Sequence, residues 1–189
     1  MRKLPILIFV AFLDSITFGQ SKTITDFSNT QRQRFDLIQT FKTGYFVNSV
    51  ENHELHVRKI EKALKAKAAH SNKNSYGKSV FTRIQMWQFD FASSGKYNQV
   101  IDSLFKCFPY DCNRISEGED KAIKIIPSIW IFAGNSIYIA STHCEQVDDK
   151  WRVFIKEFAS EFAETDSKII LTECGKLTWT TKQKLKNAP

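Results

Sequence analysis

The side chains with the clearest chemistry in this chain are four cysteines, Cys107, Cys112, Cys144 and Cys174. An even number permits two disulfides in any of three connectivities. A structural zinc site would need paired short spacings of the C-x2-C kind, whereas here one pair is spaced C-x4-C and the other two stand far off. No C-x-x-C redox motif occurs. The spacing therefore predicts bridges and no bound metal.

The histidines offer less. His53-Glu54-Leu55-His56 is a shortened form of the zinc-protease signature, in which two imidazoles four residues apart meet one ion from successive helical turns. At a spacing of three they read as a solvated helix face shared with Glu51, Glu54, Arg58 and Lys59, so His53 and His56 are weak candidates. His143 adjoins Cys144, but neighbours on a strand point to opposite faces and make a poor nucleophile and base pair. With Glu145 beside it, His143 is the residue on which a hydrolytic site would have to rest. Asp148-Asp149 stand where a helix begins and read as a cap. The acidic loop Ser116-Glu117-Gly118-Glu119-Asp120 lacks the ligand spacing of a calcium loop. No nucleophile elbow and no glycine-rich phosphate loop occur, so no catalytic residue and no cofactor is assigned.

Bridges need oxidising surroundings, and the first residues supply an address. Met1-Arg2-Lys3 is positive, Leu4 to Leu13 is an apolar run of ten, and Thr17-Phe18-Gly19 places small residues before a cut. These parts predict a signal peptide over 1–19 and a secreted or periplasmic mature chain. The run is well short of the roughly 20 residues that cross a bilayer, so no stable transmembrane span is expected after its removal. No Asn is followed two positions on by Ser or Thr, which leans toward a bacterial envelope or medium.

Residues 20–29 read as a loose leader. Phe35, Ile38, Phe41 and Tyr45, then Val50, Val57, Ile60 and Leu64, recur at helical spacing and predict a helical segment over 30–69. His70 to Lys78 is Ser, Asn, Gly and Lys rich and reads as a linker. Beyond it the element types alternate. Val80 to Phe91 is a strand, and Ser94 opens a helix whose apolar face carries Tyr97, Val100, Ile101, Leu104, Phe105 and Phe108. Ile123 to Phe132 and Ile137 to Thr142 are strands joined across Gly134-Asn135. Val147, Trp151, Phe154, Ile155, Phe158 and Phe162 form a second helical stripe, Lys168 to Thr172 is a last strand, and 180–189 is a basic tail.

Strand, helix, strand, strand, helix, strand is the split βαβ order of ferredoxin-like domains. The expected fold is therefore α+β: a four-stranded antiparallel sheet over 79–179, in the order fourth, first, third, second, with both helices on one face. These strands are apolar on both sides, with Ile84 and Met86 opposed by Trp87 and Phe89. The second face thus needs a cover, and the N-terminal helices of the same domain are assigned to it. All four thiols should gather at one edge. That topology favours Cys112 with Cys144 and Cys107 with Cys174, while the loops equally permit Cys107 with Cys112 and Cys144 with Cys174.

Lys and Arg total 27 against 20 Asp and Glu, a formal charge of +7, and hydrophobic residues make up 42%. The apolar share excludes a disordered chain, and the charge favours anionic neighbours. Basic residues gather at Arg58, Lys59, Lys62, Lys65 and Lys67 and again at Lys182, Lys184 and Lys186. The aromatics fall in the expected core and are not interleaved with these charges, so nucleic acid is not an expected partner. An anionic envelope component or another protein is. The reading that follows is an exported, disulfide-containing binding protein of undefined ligand without a catalytic centre, with a secreted hydrolase near His143 as the alternative.

Overall fold

The computed structural model describes residues 22–40, 50, 57–70, 78–108 and 112–187. Eight strands form one antiparallel sheet: β1 (Phe35–Ile38), β2 (Arg58–Ala66), β3 (Arg83–Asp90), β4 (Lys121–Ala122), β5 (Ser128–Ala133), β6 (Ser136–Ser141), β7 (Lys168–Glu173) and β8 (Lys176–Thr180). Their order across the sheet is β1-β2-β3-β6-β5-β7-β8-β4. Four helices accompany them among the described residues: α1 (Ile24–Thr30), α2 (Ser94–Lys106), α3 (Asp149–Phe162) and α4 (Lys182–Asn187).

Local chemistry fixes the ends of these elements. The Thr23 hydroxyl accepts from the Asp26 amide at 3.2 Å and starts α1. Ser93, one residue before the expected cap, accepts from the Lys96 amide and starts α2. Asp148 caps α3 through the Trp151 amide at 3.0 Å, as its position predicts. Ala133 pairs with Ser136 across a two-residue turn in which Gly134 takes φ 53°, a conformation that favours glycine.

The four-stranded ferredoxin-like arrangement does not hold. The central strands occur in the expected order, but β7 pairs with β5 and not with β3. The free side of β3 is already occupied by β2, whose Arg58–Lys65 register runs against Arg83–Asp90. The segment expected to be helical thus supplies two strands, β1 and β2, within 30–69. Spacings of four and three among Ile60, Leu64 and Val57 imitate a helix, while on a strand Ile60, Leu64 and Ala66 share one face.

The cover of the second face also differs from expectation. Ile84, Met86, Ile129, Ile131 and Ile169 pack beneath α3, α1 and α4. Trp87, Phe89, Trp130, Phe132 and Ile170 point the other way and pack beneath α2 and the 115–125 segment. The connections β3-α2-β5 and β6-α3-β7 each skip one strand in the same direction across the sheet, from strands that run oppositely. At constant handedness that geometry sends the two helices to opposite faces. The result is three layers, with the sheet in the middle and apolar side chains on both its faces.

Candidate functional site

The cysteines pair as Cys107–Cys112 and Cys144–Cys174, the second of the two arrangements the loops allowed. The favoured crossed pairing fails because β7 lies beside β5. Cys144 follows β6 and Cys174 follows β7, two strands that run the same way with β5 between them, and their Cα atoms come to 5.8 Å. Gly175, at φ 94°, makes the tight β7–β8 turn that presents Cys174. Cys107 and Cys112 close the loop after α2, with Phe108 and Asn113 bridged between them and Cys112 itself at φ 49°.

His143 and Glu145 flank Cys144 on a single turn of 3-10 helix, and all three are exposed. Neither His143 nor Glu145 lines either of the two clefts that flank α3. His53 and His56 lie outside the described residues. The acidic loop is held by lysines: Glu117 pairs with Lys168 at 2.7 Å, and Asp120 pairs with Lys176 at 3.5 Å while accepting from the Trp179 amide. The basic run Arg58 to Lys67 does not form one helical face. On β2, Arg58 and Lys62 project to one side of the sheet and Lys59 and Lys65 to the other.

A polar cluster that motif reading passed over lies where β2 ends, β3 begins and α3 starts. His70 Nε2 is 3.1 Å from Thr82 Oγ1 and 3.4 Å from Asp148 Oδ2. Thr82 donates to Asp148 Oδ1 at 3.1 Å, and Lys150 donates to Asp148 Oδ2 at 3.1 Å and to the Ala69 carbonyl at 3.2 Å. Burial pulls the Asp148 carboxyl upward. The Trp151 amide, the Lys150 hydrogen bond and the charges of His70 and Lys150 outweigh it and hold the group below the usual carboxylate value. Thr82 is fully buried, so this hydroxyl serves as a joint and is closed to an incoming substrate.

Beside this cluster opens a cleft of about 460 Å³. Arg34, Phe35, Lys67, Ala68, Lys150 and Val153 line it. β1 brings Phe35 opposite Ala66 of β2, which places the turn at Lys67-Ala68 against the first turns of α3. The rim cations are anchored. Arg34 pairs with Glu157, which also accepts from Gln31, and Lys67 donates to the Arg32 carbonyl at 2.7 Å. The arrangement can hold a ligand with an apolar body against Phe35, Ala68 and Val153 and a negative end at the rim.

A smaller cleft of about 280 Å³ lies beyond the other flank of α3, lined by Val147, Trp151, Ile155, Leu171 and Cys174 among others. Nothing in the spacing of Phe35, Lys67 and Val153 announces the larger cleft. They come from three distant parts of the sequence, and only the β1–β2 pairing brings them together. No family model matches this chain, and neither does any curated protein or solved structure in the comparisons.

Proposed function

We propose that the chain is an exported binding protein, built for oxidising surroundings and holding its ligand in the cleft at the start of α3. The Cys144–Cys174 bridge carries the reading: both half-cystines are exposed and join turns from strands separated by β5. Bridges so open to solvent persist where thiols are kept oxidised. The basic start and apolar run at Met1 to Leu13 support the same route. Among the described residues no helix is long and apolar enough to cross a membrane.

Binding in place of catalysis is supported by how the carboxylates are used. Asp148 caps α3, Glu157 holds Arg34, Glu61 accepts from Gln85 and from Trp87 Nε1, and Asp90 accepts from Gln88 and Ser136. Each is committed to a structural bond. The test is to produce the full chain in a bacterial host, fractionate the cells, and map peptides without reduction. The expected product is a processed chain outside the cytosol with Cys107 joined to Cys112 and Cys144 to Cys174. A full-length cytosolic precursor whose four thiols all alkylate would overturn the proposal.

A further inference from the structure

We infer that the cleft at the start of α3 takes a monomeric amphipathic carboxylate: an unbranched acyl chain ending in one negative charge that pairs with Lys67. This names the ligand class for the binding reading above and rests on it. The cleft holds about 460 Å³, within the size range of small-molecule sites. Buried Phe35 forms its base, and Ala68, Val153 and the methylene stems of Arg34, Lys67 and Lys150 form its walls. An acyl chain is the body such walls match.

Charge selects the other end. Glu157 neutralises Arg34, and Asp148 neutralises Lys150. Asp149, the acid that lines the rim, has a side chain 97% exposed, so its 3.7 Å pair with Arg152 adds little and its charge is screened by water. Lys67 differs. Its ammonium has three N–H donors, and among the described residues it makes one hydrogen bond, to the Arg32 carbonyl, with Asp36 at 3.8 Å. Both members of that long pair are about half exposed, 49% and 63%, where an ion pair contributes little. Lys67 therefore keeps charge and donors for a carboxylate at the mouth of an apolar trough.

A free molecule fits better than a membrane surface. Among the described residues the large hydrophobic side chains that stand exposed are Leu37, Val147 and Val153, and the two valines fall in separate hollows, Val153 in this cleft and Val147 in the cleft across α3. A bilayer needs a projecting apolar face, and the feature here is a hollow.

The experiment is calorimetric titration of the processed, bridged chain with octanoate, decanoate and decanol, and sedimentation with phosphatidylglycerol vesicles. Decanoate is expected to bind one to one, roughly tenfold tighter than octanoate for two added methylenes. It should also exceed decanol by about fivefold through the Lys67 charge, an advantage that shrinks with salt. Lys67→Gln should erase the difference between decanoate and decanol while leaving decanol binding unchanged, and Lys67→Arg should restore it. Val153→Asp should weaken decanoate and decanol alike by at least about tenfold. Circular dichroism melts verify that the variants fold. Absence of saturable decanoate binding, equal affinity in Lys67→Gln, or binding confined to vesicles would overturn the inference. If the non-reducing peptide map stands when that happens, the fault lies with the ligand class and not with export or bridging.

Discussion

His70 Nε2 lies 3.4 Å from Asp148 Oδ2, so the residue that leaves β2 touches the residue that caps α3 across 78 positions of sequence. Thr82, at the entry to β3, bonds to both. One carboxylate therefore fastens three elements around the cleft.

Because the Asp148 carboxyl is held below its ordinary 3.8 in the folded chain, its ionised form stabilises the fold. The sign follows from linkage: that stability is present above the unfolded value and is lost as pH falls through the lower folded one. Urea melts from pH 6 downward should show stability declining below about pH 4. In Asp148→Asn the amide oxygen still caps Trp151, so the cost near neutral pH is about 1–2 kcal/mol and this residue's share of the acid slope disappears. An acid slope identical in the two proteins would contradict the assignment.

The two bridges should differ in worth. Chain-entropy arguments give about 3.6 kcal/mol for the 30-residue separation of Cys144–Cys174 and about 2 kcal/mol for the separation of 5 in Cys107–Cys112. Paired Cys→Ser variants compared by urea denaturation should rank in that order. The reverse ranking would show that the α2 end matters more to the fold than the tie between the ends of β6 and β7.

Tyr97 provides an optical test of the α2 face. Burial, and then the negative charges of Asp166 and Glu164, push its phenol up to about 12. The raised value favours the neutral phenol in the folded chain, so this contribution to stability holds below pH 10 and is lost as pH rises toward 12. Ultraviolet titration of the folded chain should show less tyrosine ionising near pH 10 than the same chain in denaturant, and in Tyr97→Phe that gap should shrink by one tyrosine. Ionisation of Tyr97 near 10 in the folded protein would place it in open solvent.

Phe27 anchors α1 on α3. Its ring meets those of Phe154, Phe158 and Phe162 edge to face, each at 5.5 Å between centroids. Phe27→Ala should cost about 3–5 kcal/mol, with the cavity and the three lost ring contacts acting together. Phe27→Leu should cost less than half of that. Thermal or chemical melts decide it, and a loss below 1 kcal/mol for Phe27→Ala would mean that α1 is not fixed to this face.

The middle of the molecule was legible in the residues. From Val80 to Thr172 the alternation of β-branched runs with amphipathic stripes names six elements in their correct order, and the two helical faces bury most of the side chains assigned to them, with Val147 left exposed ahead of α3. The flanks were not legible, for a physical reason. β2 reads RKIEKALKA, a composition of good helix formers, and its strand state comes from pairing on both sides with β1 and β3. Once β2 is missed, the edge of β3 looks vacant and β7 is drawn to it, which also yields the wrong sulfur pairing. β8 is five residues long and is joined to β7 by a two-residue turn, so the second arm of the hairpin goes unassigned between the last expected strand and the basic tail. The cleft was invisible because its lining depends on that same β1–β2 pairing.

The sulfur link from Cys144 to Cys174 makes a closed loop of covalent bonds that encircles the whole of α3 and β7. A protease that cuts once inside that circle frees nothing: both pieces stay tethered, and they separate only after a reductant opens the ring. Damage to the helix that borders the cleft is thereby converted from loss of a fragment into a nick that the rest of the molecule keeps in place.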